Sequence, residues 1–224
     1  MTLKVLLSTA LLVGLATLGC QRDDNTVESI PAAPVSSHAE LAATPVRQAA
    51  SIYDLSLGLT DQDGRAFGLD VFRGHPVVIS MFYASCPYAC PTLISDIQRF
   101  ERKLEPEVRS QVCVLLVSFD SERDTPEQLK KLALERKVDS SRWKLARASD
   151  DQVRELAAVL GLKYRRLEGG GFNHSSAIAL LDARGLIAER VEGLSQPVES
   201  LVGRVQTLVG SPGLVSRASR PRAD

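Results

Sequence analysis

The chain has 224 residues, 44% of them apolar and 24% charged, a composition of ordinary globular proteins and long enough for one good-sized domain with appendages. Its 27 basic and 27 acidic residues cancel. That balance excludes a global field that would recruit nucleic acid or an anionic membrane surface, so any partner is recognised locally.

The first nineteen residues do not read as part of a fold. Lys4 precedes the apolar segment Val5 to Leu18, the pattern of a secretory signal, and the segment is shorter than the ~20 residues a membrane span needs. It ends in Leu18-Gly19-Cys20, which resembles the lipobox of bacterial lipoproteins, whose cysteine is acylated. The expectation is a signal over 1–19, lipidation at Cys20, and a chain exported to the periplasmic face of a bacterial membrane. Residues 20–50 are rich in Ala, Pro, Ser and Thr and lack aromatics, too little apolar surface to fold, so they read as a flexible tether. As a coil it would separate domain from membrane by roughly 30 Å. His38 in this stretch reads as an incidental exposed histidine.

The folded domain is expected over 51–210. It opens with Tyr53 to Leu57, a turn at Asp61-Gln62-Asp63-Gly64, and Arg65 to Leu69, an N-terminal β-hairpin. The apolar run at 77–83 predicts a buried strand, and Leu93, Ile94, Ile97, Phe100 and Leu104 mark one face of the following helix. A strand at 112–119, a helix from Thr125-Pro126 to about Lys137, a strand at 143–148 and a helix from Asp150 to about Leu160 repeat the alternation. Thr125 and Asp150 are suitable N-caps. Residues 165–176, with three consecutive glycines and no hydrophobic period, read as a loop. A second hairpin, Ala177 to Leu181 and Leu186 to Val191, and a helix from Pro197 to Val209 complete the domain, and 211–224 reads as a disordered tail. The whole predicts an α/β three-layer domain, a mixed central sheet flanked by helices with the second hairpin inserted near the C-terminus.

Chemistry concentrates at Cys86-Pro87-Tyr88-Ala89-Cys90-Pro91, a dithiol at the junction of a buried strand and a new helix. The helix N-terminus offers unpaired N–H groups and a positive dipole end, which lower thiol pKa values and make thiolates into nucleophiles or soft-metal ligands. Pro91 suits the first helical turn, placing Cys90 near the helix start and Cys86 in the incoming turn. A flexible turn lets the pair close as a disulfide or open around an ion. Cys113, within the apolar run 112–117, reads as an inert core thiol.

A metal site needs a third ligand, and the domain has only His75 and His174. His75 begins the strand that ends near the dithiol, so it lies about 20 Å or more away. His174 lies in the glycine-rich loop, free to approach, and is the better candidate. Two thiolates and one imidazole form a soft, low-coordination set suited to copper. Structural zinc, the metal alternative, typically takes four protein ligands. The enzymatic alternative is thiol–disulfide exchange between Cys86 and Cys90, although the usual redox spacing has two intervening residues and this chain has three.

Together, Cys86-Pro87-Tyr88-Ala89-Cys90-Pro91, the run Val117 to Pro126, and Asn173-His174-Ser175 resemble the Sco/SenC copper-chaperone family over approximately residues 50–210. The resemblance implies a thioredoxin-like fold in which Cys86, Cys90 and His174 bind one copper ion per chain, as Cu(I) and also as Cu(II). It implies delivery of that copper to the dinuclear copper centre of cytochrome c oxidase. The partners would be the copper-accepting oxidase subunit, a copper donor or thiol–disulfide reductant, and the membrane through the lipid anchor, with no nucleic acid. Some members are thought to act instead as thiol reductases that keep the oxidase copper-site cysteines reduced. A copper sensor or a peroxide-reducing enzyme is a further alternative, since peroxiredoxins share the fold. Asp120 and Asp124 match an acidic loop thought to lie near the metal or a partner, with capping of the next helix as the plainer reading. Tyr88-Ala89 departs from the family, which often has an acidic residue between the cysteines; losing that carboxylate weakens oxidised copper relative to Cu(I). Tyr88 reads as a partner-facing aromatic or a packed side chain.

Overall fold

The computed structural model describes residues 51–210. The expected signal, Cys20, His38, the tether up to residue 50 and the tail over 211–224 lie outside the described residues. Among the described residues, no helix is long and apolar enough to cross a membrane.

The expected first strand is not one. Ile52–Asp54 forms a single 3-10 turn whose N–H at Tyr53 is capped by the Ser51 side chain, because Ile52 and Tyr53 are both buried and period-two alternation would expose one of them. The hairpin instead pairs β1 (Leu59–Asp61) with β2 (Ala66–Phe67). Its turn is closed by Asp61 Oδ1, which accepts from the N–H groups of Asp63 at 3.0 Å and Arg65 at 2.9 Å, an arrangement that short acidic side chains make readily.

β3 (Val77–Phe82) is buried at all six positions. A strand covered on both faces belongs in the sheet centre and carries no polar alternation. α1 (Ala89–Arg102) leads into the short α2 (Pro106–Arg109), then β4 (Cys113–Ser118), α3 (Pro126–Glu135), β5 (Trp143–Arg147) and α4 (Asp150–Val159). β3, β4 and β5 are parallel neighbours. The sheet is closed on the other side by β8 (Ala177–Leu181) and β9 (Ile187–Glu192), both antiparallel, and α5 (Glu199–Gly210) ends the described chain. The seven-stranded order is β2-β1-β5-β4-β3-β8-β9, a mixed sheet flanked by helices as expected.

Three local expectations are corrected. Ser149, not Asp150, caps α4: its hydroxyl accepts from Gln152 N–H and Gln152 reciprocates toward the Ser149 N–H, a capping box. Cys113, the first residue of β4, is half-buried, whereas Val114 to Ser118 are covered. The glycine-rich stretch is not all loop. β6 (Tyr164–Arg166) and β7 (Phe172–His174) pair antiparallel as a separate two-stranded ribbon. Gly170 and Gly171 take φ values of 82° and 75° in its turn, a left-handed conformation that costs other L-residues roughly 1–2 kcal/mol each.

Several polar groups inside the fold are paired across elements, as burial favours. Glu101 of α1 accepts from Arg142 at 2.6 Å and from the indole N–H of the fully buried Trp143 at 3.1 Å, tying the helix to the entrance of β5. On α1, Asp96 accepts the Ser195 N–H at 2.7 Å ahead of α5, and Gln98 donates to the Arg136 carbonyl at the end of α3 at 2.8 Å. These bonds hold α1 between its neighbours, so the N-terminus of α1 is a rigid platform for the dithiol. Glu101→Ala leaves the Trp143 N–H without an acceptor and strips Arg142 of its best partner. It is expected to cost about 2–4 kcal/mol, read as a lower urea midpoint with an unchanged slope. An unchanged midpoint would show that the link carries no stability.

Candidate metal site

The site is built where β3 ends. Parallel pairing carries β3 and β4 to the same edge, with Phe82 opposite Ser118. The chain leaves β3 at Tyr83 and turns, the Cys86 N–H donating to the Tyr83 carbonyl at 3.2 Å. Ala84 N–H donates to Asp124 Oδ2 at 2.8 Å, and the same oxygen accepts from Ser118 Oγ at 2.5 Å. Asp124 therefore stitches the dithiol turn to the end of β4. Both Asp120 and Asp124 are buried. Asp120 pairs with Arg123 at 2.5 Å and lies 3.8 Å from Arg166. Neither carboxylate faces outward, and it is Thr125 that caps α3, accepting from Gln128 N–H.

No side chain caps α1 in the usual way: Tyr88 is at its N-cap without a side-chain bond, and the first turn has no acidic residue. The Cys86 sulfur takes that place, accepting the Cys90 N–H at 3.3 Å. Burial by itself would raise the Cys86 pKa, but it is outweighed by hydrogen bonds from the N–H groups of Cys90 and Tyr88 and from the Cys90 and Tyr83 side chains, leaving it below the ordinary thiol value. Cys90 goes the other way. Deeper burial pushes it up strongly, its bond from the Tyr83 N–H notwithstanding, and the charges of Cys86 and Asp124 add to the rise. The two thiols four positions apart thus differ: Cys86 gives up its proton more readily than Cys90.

His174 is the last residue of β7, opposite Tyr164. Its ring packs against Phe119 at 5.2 Å and Tyr83 at 5.9 Å between centroids, and Nδ1 lies 2.9 Å from the Ser175 carbonyl. A carbonyl only accepts, so Nδ1 carries the proton and Nε2 presents its lone pair, the tautomer a metal ligand needs. The ligand atoms of Cys86, Cys90 and His174 lie within 4.8 Å of one another, and they form the one such group of potential metal ligands among the described residues. Three donors about 2.0–2.3 Å from a shared ion sit roughly 3.5–4 Å apart, so small side-chain rotations suffice to close the set. Two sulfurs and one imidazole nitrogen suit Cu(I) by softness and coordination number.

His75 is exposed at the far end of β3 and takes no part, as its position in the sequence implied. Tyr88 is 83% exposed beside the dithiol, on the outside of the site and not packed. Two residues escaped the sequence reading: Phe119, which supports the His174 ring, and Tyr83, which lies within the apolar run taken as strand. The available signal was chemical, since a tyrosine buried in an apolar segment must still find a partner for its hydroxyl.

The family model described as SCO1/SenC matches residues 47–210 of the chain. A curated protein of Stutzerimonas stutzeri named as copper-binding is 35% identical over 74 residues, 33% of this chain and 36% of the relative. An SCO2-like protein of Rickettsia typhi is 26% identical over 133 residues, 57% of this chain and 64% of the relative. The chain therefore spans between about a third and just under two thirds of the length of these two relatives. The SCO1 protein homolog of Bacillus subtilis is 28% identical over 66% of this chain and 78% of its own length. Among solved structures, a SCO1/SenC family lipoprotein of Bacillus anthracis aligns with a TM-score of 0.64 at 24% identity, covering 70% of this chain and 95% of that one. Copper-bound yeast Sco1 aligns with a TM-score of 0.58 at 19% identity, covering 69% and 87%. At these identities the structures speak for the fold, and that fold is the expected thioredoxin-like one.

In the reduced, metal-free protein, iodoacetamide is expected to modify Cys86 well before Cys90, its rate rising through a midpoint below that of a free cysteine, about 8.5. Peptide mapping checks the order; Cys90 reacting first would reverse the assignment of the thiolate.

Proposed function

Because the chain belongs to the SCO1/SenC family, we propose that it binds copper through Cys86, Cys90 and His174 and delivers it to the dinuclear copper centre of cytochrome c oxidase during assembly. The observation that carries this reading is the convergence of those three side chains, from two distant segments of the chain, within 4.8 Å. Copper is here the cargo and not a resident cofactor. The two sulfurs are held by the turn and the first turn of α1, while His174 rides on the separate β6–β7 ribbon. Three donors leave room for an incoming ligand of the acceptor, and the ribbon-borne imidazole is the ligand that can withdraw without disturbing the helix. Tyr88 and Ala89 bring no carboxylate between the cysteines, which favours Cu(I) over Cu(II).

A lipid chain on Cys20 and the following tether would hold the domain roughly 30 Å from the membrane surface on the periplasmic side, within reach of a membrane-bound acceptor. Export would also place the dithiol among oxidants, so a donor or reductant must keep it reduced before loading.

The opposite pKa shifts of the two thiols support a second reading, reduction of the acceptor's own cysteine pair. The Cys86 thiolate would attack one sulfur of the acceptor disulfide, forming a mixed disulfide and releasing one acceptor thiolate. Cys90, losing its proton, would then attack the Cys86 sulfur, releasing the second acceptor thiolate and leaving Cys86–Cys90 oxidised by two electrons.

Histidine separates the readings. His174→Ala is expected to weaken copper binding by more than about a hundredfold, beyond what the loss of a supporting residue costs, while dithiol reactivity persists. Anaerobic copper titration of the reduced protein with a competing chelator reads the first, and thiol alkylation the second. Unchanged copper affinity in the variant would remove the three-ligand site.

A further inference from the structure

We propose that the cavity at the far end of α1 binds a ligand carrying two phosphate groups, held by Arg102, Arg109, Arg136 and Lys137. This goes beyond the copper reading and does not depend on it.

The cavity, of about 740 Å³, is lined by the end of α1, by α2, by the end of α3 and by the residues leading into β5. The dithiol lies at the start of α1 and the cavity at its end. With a rise of 1.5 Å per residue, the 14 residues of this helix put roughly 20 Å between them. Five cations line the cavity, Arg142 and the four named above, against two carboxylates, Glu101 and Asp139. Arg142 pairs with both carboxylates, at 2.6 Å and 3.0 Å, and also donates to the carbonyls of Arg109 and Val112. Arg142 is thus part of the wall. The other four make no ion pair among the described residues.

Two further observations point to a missing anion. Arg136 Nε is buried without a hydrogen-bond partner, a state that costs free energy until an acceptor arrives. Lys137 holds a φ of 53° where α3 ends, its N–H donating to the Leu134 carbonyl and the Val138 N–H to the Ala133 carbonyl, both at 3.1 Å. Glycine is the usual residue at that position, so lysine is kept there against a conformational cost. Helix dipoles favour a cation at each helix end, which accounts for single arginines on α1, α2 and α3. They do not account for convergence on one cavity, for the orphaned Nε, or for lysine in place of glycine.

Three guanidinium forks can take phosphate oxygens in pairs, and the lysine adds a point charge. The cations exceed the carboxylates by three, more than one phosphate monoester neutralises and close to the charge of two linked phosphates.

Calorimetric titration of the full chain with inorganic pyrophosphate at low ionic strength is expected to show one site per chain, weakening as salt screens it. Arg136→Gln should bind about tenfold more weakly, the factor for one charge-assisted hydrogen bond. Lys137→Gly should lose a similar factor while its thermal midpoint rises by about 2–4 °C, because the left-handed conformation is relieved; its weaker binding then has no origin in a weakened fold. Arg154→Gln, on α4 and outside the cavity, should leave binding unchanged. Binding of pyrophosphate but not of vesicles supports the site with a soluble ligand. Sedimentation with cardiolipin vesicles and not with phosphatidylcholine alone, reduced by Arg136→Gln and Lys137→Gly, supports it with a lipid headgroup. Binding of neither probe overturns the proposal, as does binding that those two variants leave intact or that Arg154→Gln weakens equally.

Discussion

The burial of β3 between β4 and β8 is the constraint on which the site rests. Each of its six residues is covered, and at roughly 1.5–3 kcal/mol for a fully buried large apolar side chain the register of this strand is strongly specified. A slip of one residue would turn every side chain to the opposite face and displace the turn that follows. Because β4 is parallel and in step with β3, Ser118 and Asp124 arrive at the same edge as Tyr83 and Ala84. The dithiol turn is thus fixed by the sheet beneath it before any metal or partner is considered.

On that platform, the two cysteines become chemically unlike. Identical thiols separated by three residues would behave alike in an unfolded chain. Here Cys86 gathers N–H donors at an otherwise uncapped helix start, whereas Cys90 faces the apolar interior and the Asp124 carboxylate. The asymmetry suits either role of the pair. A thiol that gives up its proton more readily lowers the cost of binding a soft cation, since metal binding must expel that proton, and its thiolate is also the attacking group in disulfide exchange.

The acidic loop lies beside the site and does its work inside the fold. Asp120 and Asp124 do lie beside the site in the chain's folding pattern, but their carboxylates point inward and hold backbone and arginine partners. Outside, Tyr88 is an exposed large side chain lying between the two cysteines. With no net charge on the chain, long-range steering toward this edge is weak, and its distinguishing features are local shape and aromatic surface.

Much of this was legible from residue pattern alone. The β3 and β4 runs, the helical period after Pro91, Thr125-Pro126 as a helix start and the dithiol at a strand–helix junction each follow from local rules: apolar run length, proline geometry and capping chemistry. The opening segment at 53–57, the cap at Ser149 and the strands β6 and β7 did not. Three-residue strands reading Tyr-Arg-Arg and Phe-Asn-His have no hydrophobic period, and they exist because Phe172 and Tyr164 find Phe119 and Tyr83 across the fold. The sequence by itself narrowed which residues could ligate a soft metal, because thiolate, imidazole and thioether donors come only from cysteine, histidine and methionine and few of these are present. The tertiary structure alone decided that Cys86, Cys90 and His174 meet, that the two thiols differ, and that Tyr83 lies among them. Those are consequences of packing between distant segments, which no local propensity encodes.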